Sequence, residues 1–227
     1  MSVTSSSKQY PMPFCRVELA VMGLVDERLQ VLLAKRAEPP NPGRWALPGG
    51  VLRIDLDSSL EMAARRVMGE RLGLALPGLK QVCTVGGPTR DTRAPWALSV
   101  VYRTMVRADA AHPVDAQPGK RVEAVRWCPV DEVEPDGNLA FDHGSLVAWA
   151  AAAVRAEIER LEWPEGFLPE TFTLGELQAA GERTLGRPLD KSSFRRKLAE
   201  RDLVEPVEGE MRGGAFRPAQ VYRLRGR

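Results

Sequence analysis

The residues best suited to chemistry lie in one stretch, the helix predicted to follow Gly49-Gly50. Acids spaced three and four residues apart on a helix share a face, and hard cations such as Mg²⁺ prefer carboxylate oxygens. A bound Mg²⁺ can neutralise phosphate oxygens and activate a water molecule for hydrolysis. On this helix, the positions three residues before and one residue after Glu70 hold Val67 and Arg71 instead of acids. One carboxylate beside a cation makes a poor metal site, because the arginine puts positive charge where the metal would sit.

This stretch resembles the signature of the Nudix hydrolases. That signature runs Gly, five residues, Glu, seven residues, Arg-Glu, an aliphatic residue, any residue, Glu-Glu, any residue, Gly and an aliphatic residue. Its scaffold positions are matched by Gly50, Arg66, Gly73 and Leu74. The resemblance therefore implies a Nudix fold.

The acidic positions of the signature are mostly lost. The upstream glutamate is absent in both possible registers, which hold Leu56 and Ser58, and the intervening segment is two residues longer than the pattern. Glu70 alone remains and would be the catalytic residue of any residual hydrolase, the only case in which Mg²⁺ would be needed. We favour the other interpretation of Glu70, an ion pair with Arg66 four residues earlier, and expect no required metal or cofactor.

A second chemical feature is a basic helix near the C terminus. Its first turn carries two serines able to offer hydroxyl and backbone N–H groups to phosphate, and a glycine-rich segment beyond it adds further arginines. An isolated basic helix is usually just a solvated face. Joined to a helix-turn-helix outline, these residues predict contact with DNA: Lys191, Ser192, Ser193, Arg195, Arg196, Lys197, Arg201, Arg212 and Arg217.

Hydrophobic periodicity predicts the strands and helices that must position the Nudix-like segment. Two apolar runs predict a hairpin, and a capping box with Ser58 as N-cap and Glu61 at the third helical position predicts a helix that ends at Gly73. Strand-like runs and a second long helix follow, so we expect a mixed sheet flanked by helices, of the α+β class. The predicted strands and second helix are 15–25, 29–34, 45–52, 81–85, 97–106, 122–127 and 146–161.

The C-terminal sequence predicts a winged helix-turn-helix. Thr173 and Glu176 form a capping box for a helix to about Leu185, Asp190 caps the basic helix, and strand-like pieces lie at 203–207 and 219–224. The expected domains are a flexible tail (1–13), a Nudix-like sensor (14–161), a linker (162–168) and the winged helix-turn-helix (169–227).

Together the two halves resemble the NrtR family of Nudix-related transcriptional regulators. The strings that carry the resemblance are residues 168–174, 186–191, 194–197 and 217–222. It implies a dimeric, cytoplasmic repressor, typically of NAD-metabolism genes, that grips a palindromic operator in double-stranded DNA. Its Nudix domain would sense a small nucleotide, commonly ADP-ribose.

By the same resemblance, the effector cleft would lie near Lys35, Arg36, Trp45, Gly49, Gly50, Arg53 and Glu70. A lysine or arginine can hold a diphosphate, and Trp45 could either stack on adenine or pack in the core. Without metal ligands, basic side chains would have to neutralise the phosphate charge, as Mg²⁺ does in the hydrolases.

Two other functions are compatible with the sequence. One is a working Nudix pyrophosphatase that cleaves ADP-ribose or a similar compound by using Glu70 with Asp55, Asp57 or Glu61. The other is a structural module whose C-terminal part binds a protein.

Composition narrows the class of protein. The chain has no apolar run near the roughly 20 residues of a membrane helix, and its three scattered cysteines suggest reduced thiols in the cytosol. The net charge of +2 hides a division: residues 191–227 carry ten basic and five acidic side chains, a net +5, which leaves −3 for the other 190 residues. We expect an effector-sensing domain with a small negative net charge, joined to a DNA-binding domain with a positive net charge.

Overall fold

The computed structural model describes residues 13–108, 114–134, 137, 139–213 and 218–226. The first part of the chain forms β1 (Phe14–Val25), β2 (Arg28–Arg36), β3 (Trp45–Ala46), β4 (Gly49–Val51), α1 (Leu60–Leu72), β5 (Lys80–Gly87), β6 (Ala97–Met105), β7 (Val122–Pro129), a 3₁₀ turn (Val130–Glu132) and α2 (His143–Glu159). The second part forms β8 (Phe172–Thr173), α3 (Leu174–Leu185), α4 (Lys191–Glu200), β9 (Val204–Arg212) and β10 (Ala219–Leu224).

The first seven strands form one mixed sheet, which confirms the predicted class. Its order is β3-β2-β1-β6-β5, with β4 paired to β1 and β7 paired to β2. Strand β1 runs parallel to β6 and antiparallel to β2 and β4. The β1–β2 hairpin turns at Asp26 and Glu27, both with positive φ (46° and 64°), as the tightest hairpin turns require.

The helices cover the two faces of this sheet. Alternate residues of β1 point to opposite sides. Val17 and Leu19 pack with the apolar side of α1, whereas Ala20 and Met22 pack in the cluster that contains α2. The result is a sheet buried on both faces.

Helix α1 begins one residue later than the capping box predicted. Its N-cap is Ser59, whose Oγ accepts a hydrogen bond from the Met62 N–H at 3.1 Å, and Ser58 is not the cap. Glu61 instead pairs with Arg65 at 2.8 Å. Gly73 ends the helix in the left-handed conformation (φ 66°), as predicted.

The C-terminal part has the predicted winged-helix outline. Thr173 Oγ1 accepts from the Glu176 N–H, and the Glu176 carboxylate accepts from the Thr173 N–H, which confirms the capping box. Asp190 caps α4 by accepting from the Ser193 N–H at 2.8 Å. A two-residue strand that the sequence did not predict, β8, joins β10 and β9 in a three-stranded sheet.

One apolar cluster runs through both parts of the chain. Trp163 and Phe167, within the segment predicted as a linker, are each 7% exposed and stack at 5.9 Å between ring centroids. Trp163 also meets Phe194 of α4 edge-to-face. Helix α2, which starts three residues before the predicted Leu146, belongs to the same cluster as the apolar residues of α3 and α4. The segment 162–168 is thus packed between the two parts.

Across the described part of the chain, no helix combines the length and apolar character needed to cross a bilayer.

Candidate anion-binding pocket and basic helix

A pocket opens beside β1, β2 and the C-terminal end of α1. It is lined by six cationic side chains: Arg16, Lys35, Arg36, Arg71, Arg93 and Arg121. Glu38 is the one acid in the lining, and Ala46, Leu47, Pro48 and Gly49 form one wall. Clustered positive charge in a concave site attracts an anion.

Four of these cations are compensated by carboxylates. The pairs are Arg16–Glu18 at 2.7 Å, Lys35–Glu123 at 2.6 Å, Arg93–Asp91 at 2.6 Å and Arg121–Glu38 at 2.9 Å. Their charge is therefore partly neutralised before any ligand binds.

Arg36 and Arg71 are different, because within the described residues their hydrogen bonds go only to backbone carbonyls. Arg36 Nε donates to the Pro40 oxygen at 2.7 Å, and its guanidinium lies 5.1 Å from the Phe141 ring centroid. Arg71 donates to the oxygens of Gly49 at 3.1 Å and Lys120 at 2.5 Å. Burial and then neighbouring cations lower the pKa of both arginines. Each therefore brings a positive charge that an anion would stabilise.

A buried cluster supports this wall from behind. The Glu18 side chain is 1% exposed, and its Oε1 accepts from Arg16 Nε and from Ser99 Oγ, the latter at 3.3 Å. Burial would raise the pKa of Glu18, but Arg16 and other charges lower it overall. Its Oε2 lies where a Cβ at Gly49 would fall, 1.6 Å away, so only glycine fits at this position.

His143 ties the same wall to α2. Its Nδ1 accepts a hydrogen bond from the Leu47 N–H at 2.9 Å, so the ring proton belongs on Nε2, which lies 4.0 Å from Glu18 Oε2. Burial lowers the pKa of His143 to about 4, and the imidazole is therefore neutral near pH 7.

The residues expected at the effector cleft divide into two groups. Lys35, Arg36 and Gly49 line the pocket, but Trp45 and Gly50 do not. Trp45 packs against the apolar cluster, and the Arg126 guanidinium lies 4.3 Å from the centroid of its indole ring. The position of a Cβ on Gly50 would lie 2.6 Å from Val67, so this glycine allows α1 to approach β4 closely.

Arg53 and Glu70 also lie outside the pocket lining. Arg53 pairs with Asp55 at 2.7 Å, while Glu70 pairs with Arg66 at 3.2 Å, which confirms the predicted ion pair. Arg66 in turn holds Asp57 through two bonds of 2.7 and 2.8 Å. Among the described residues no group of three or more acids, histidines or cysteines could hold a metal ion.

Four cationic residues of the pocket were missing from the predicted cleft: Arg16, Arg71, Arg93 and Arg121. Arg71 carried a signal, since it replaces an acid of the Nudix signature. The other three come from separate segments that only the folded sheet brings together, and the sequence around them has no matching motif.

The basic helix α4 presents most of its predicted DNA-contacting side chains to solvent. Lys191, Ser192, Arg195, Arg196 and Lys197 are exposed, whereas Phe194 and Leu198 are buried. Ser193 is half-buried, and its N–H is already bonded to the Asp190 cap.

The remaining predicted DNA contacts differ from these. Arg201 donates to the Arg160 carbonyl at 2.5 Å, and Arg212 pairs with Glu176 at 2.6 Å. Arg217 lies outside the described residues.

Sequence and structure comparisons agree on the two-part organisation. Residues 16–150 match the NUDIX domain family, and residues 166–224 match the NrtR DNA-binding winged helix domain. The chain is 34% identical over 215 residues to the ADPR responsive transcriptional repressor NtrR of Acinetobacter baylyi, a match that covers 95% of this chain and 83% of that protein.

Two solved structures from Shewanella oneidensis are also similar. NrtR complexed with a 27mer DNA superposes with a TM-score of 0.72 at 32% identity, covering 92% of this chain and 93% of that one. The NUDIX domain of the same protein complexed with ADP ribose gives a TM-score of 0.57 at 32% identity, covering 64% and 90%.

Proposed function

This chain belongs to the NrtR family of Nudix-related transcriptional regulators, and on that premise we propose that it is a DNA-binding repressor whose Nudix domain senses ADP-ribose or a close nucleotide relative. The proposal includes a homodimer in the cytoplasm that binds a palindromic operator near NAD-metabolism or related genes. The name of the Acinetobacter baylyi relative and the DNA and ADP-ribose complexes of the Shewanella oneidensis protein support it.

The observation that carries the sensor assignment is the pair of arginines without carboxylate partners. Arg36 and Arg71 line one pocket and bond only to backbone carbonyls within the described structure. The diphosphate of ADP-ribose bears one negative charge on each phosphoryl group, so the two charges match in number. Guanidinium groups suit phosphate because they present several N–H donors in a planar fork.

Arg71 also supports a metal-free mode of binding. It stands at a position that the Nudix hydrolase signature gives to an acid, and its guanidinium supplies positive charge that a hydrolase would take from a cation. We therefore propose that the effector binds without Mg²⁺, and that no cofactor is required.

The assignment of DNA binding rests on the exposed side chains of helix α4. Lys191, Arg195 and Lys197 are exposed, and none forms an ion pair within the described residues. The second helix of a helix-turn-helix enters the major groove with its N-terminal residues near the bases. We assign these three side chains, with Ser192, to DNA contact, and Arg196 to the same face although Glu200 lies 3.8 Å from it.

Calorimetry with ADP-ribose in excess EDTA tests the sensor. We expect binding by the wild-type protein, and in Arg36→Met or Arg71→Met a loss of about ten-fold or more, since a hydrogen bond to a charged group contributes roughly 1.5–3 kcal/mol. Arg28→Met is the matched control, because Arg28 pairs with Glu132 on the surface and does not line the pocket. Binding that requires Mg²⁺, or that ignores both substitutions, would contradict the assignment.

Fluorescence anisotropy with upstream DNA fragments tests the proposed DNA binding. Site-specific binding should weaken steeply as salt rises, and the Arg195→Glu/Arg196→Glu double variant should lose it while circular dichroism stays unchanged. The repressor proposal fails if no fragment is bound specifically, with or without ADP-ribose.

A further inference from the structure

We infer that helix α2 couples the pocket to the DNA-binding helix α4, with His143 as a positioning residue at the pocket end and Arg155 as its counterpart at the far end. The inference rests on the proposed function, because it concerns how the same pocket influences DNA binding. Neither residue lines the pocket or belongs to the predicted DNA surface.

At the pocket end, three contacts connect the pocket wall to the start of α2. The Leu47 N–H donates to His143 Nδ1 at 2.9 Å, and the Ala140 N–H donates to the Trp45 oxygen at 2.8 Å. Arg36, one of the two arginines without a carboxylate partner, lies over the Phe141 ring at 5.1 Å. An anion that draws Arg36 toward it would therefore act on Phe141 directly.

The backbone at this junction is strained. Phe141 adopts φ 56°, in the left-handed region that disfavours a bulky side chain. Its ring lies 5.3 Å from the His143 ring, so the strained residue and the hydrogen-bonded one touch each other. A residue held in such a conformation depends on its neighbours, and a change at Arg36 or Leu47 would alter what holds it.

At the far end, α2 is bonded to both helices of the winged-helix part. Arg155 Nε donates to the Thr184 carbonyl of α3 at 3.0 Å, while its Nη2 holds Asp131 in the first part of the chain. The carbonyl of Arg160, which caps α2, accepts from Arg201 at the end of α4. Ile158 lies in the apolar cluster that also contains Phe194.

The helix is suited to carry a displacement between these ends. It has 17 residues, and its buried positions occur along its whole length: His143, Leu146, Val147, Ala150, Ala151, Val154 and Ile158, among others. Packed helices shift as units by about 1–2 Å in switching proteins. A shift started at Phe141 and His143 would therefore reach Arg155 and the Arg160–Arg201 bond.

The test measures coupling rather than either affinity alone. Operator affinity is determined with and without ADP-ribose, and the ratio of the two dissociation constants is compared among full-length variants. For the wild type we expect a ratio of about ten-fold or more, within the usual range of allosteric coupling. ADP-ribose affinity is measured in parallel by calorimetry.

Measured at saturating ADP-ribose, His143→Ala should bring this ratio below about three-fold, with ligand-free operator affinity close to that of the wild type. His143→Asn should restore most of the ratio, because its side-chain oxygen can accept from the Leu47 N–H. Arg155→Met should reduce the ratio without touching the pocket, and Arg28→Met is the control.

Failure of this inference and failure of the proposed function give different results. Unchanged ratios in both His143→Ala and Arg155→Met would overturn the inference, as would a loss explained by weaker ADP-ribose binding. If the wild type shows no ADP-ribose effect, the proposed function fails before any variant is compared. Should His143→Ala fail to fold, Arg155→Met decides the question, and hydrogen exchange in the wild type must then show ADP-ribose changing protection in both 139–147 and 196–201.

Discussion

At the scale of single residues, the acids of the segment that resembles the Nudix signature form ion pairs with arginines. Asp55 pairs with Arg53, Asp57 with Arg66, and Glu61 with Arg65. A carboxylate held in this way is oriented, and its oxygens are occupied by guanidinium donors. The Asp57–Arg66 pair anchors the segment between β4 and α1 to the helix that follows it.

The strongest of these pairs should be visible in stability. The Asp57 side chain is 1% exposed. It accepts two bonds from Arg66 and one from the Arg53 N–H, and Arg66 lowers the pKa of its carboxyl. Asp57→Asn should lower the free energy of unfolding by roughly 1.5–3 kcal/mol at pH 7.

The sign of the pH dependence follows from the lowered pKa. The stabilisation is complete above the unfolded-state pKa of about 3.9 and is lost as pH falls through the lower folded-state value. Urea titrations at several pH values should show wild type and Asp57→Asn converging only in strong acid. A difference that persists unchanged below about pH 2 would contradict this account.

Gly49 makes a second residue-scale prediction. A Cβ there would fall 1.6 Å from Glu18 Oε2, a carboxylate already fixed by Arg16 and Ser99. Gly49→Ala should therefore destabilise the fold by about 1–3 kcal/mol and weaken ADP-ribose binding. Gly87→Ala, with nothing within 4 Å of the added carbon, should change the thermal midpoint little; equal effects of the two substitutions would refute the explanation.

At the scale of elements, local signals in the sequence predicted most helices and strands, and the misses have local causes. The predicted cap Ser58 is followed by a second serine, Ser59, and which of the two caps the helix depends on a hydrogen bond that residue types cannot reveal. Strand β8 has two residues and exists because β10 lies beside it, which is a long-range fact. The Thr173 and Asp190 caps, each followed by a clear apolar pattern, were predictable.

The capping box of α3 should contribute measurably to the winged-helix part. Thr173→Ala removes the acceptor for the Glu176 N–H, and we expect a loss of about 1 kcal/mol in the free energy of unfolding. Thr173→Ser keeps the hydroxyl and should stay near the wild type. Denaturant midpoints of the three proteins check this, and equal loss in both variants would show that the methyl group matters instead.

At the scale of the whole molecule, the sequence predicted two parts but not their contact. The pocket draws arginines from five separated segments, and only the folded sheet with its helix brings them together. The shared apolar cluster likewise joins α2, residues 163 and 167, α3 and α4. Pairing across such distances in sequence leaves no local pattern, so motifs mark the Nudix helix and the basic helix but not most of the pocket.

The shared cluster predicts a single unfolding transition. Four of the five tryptophans, at 45, 96, 127 and 149, report on the first part, whereas far-ultraviolet circular dichroism reports on helices of both. The two signals should give coincident denaturation curves. Phe194→Ala, in the second part, should shift both by about 3–5 kcal/mol; two separate transitions, or a shift in one signal alone, would show independent folding.

The contact between Val67 and Gly50 limits how this domain could gain a metal site. Val67 is 1% exposed and fills the space beside Gly50, and Arg71 bonds β4 to the segment at Lys120. A carboxylate restored at position 67 would lose its hydration in an apolar cluster, and one at position 71 would break both bonds. Each single reversion would therefore lower stability before a metal-binding trio existed. A path from this chain to a metal site, one substitution at a time, would therefore pass through less stable proteins.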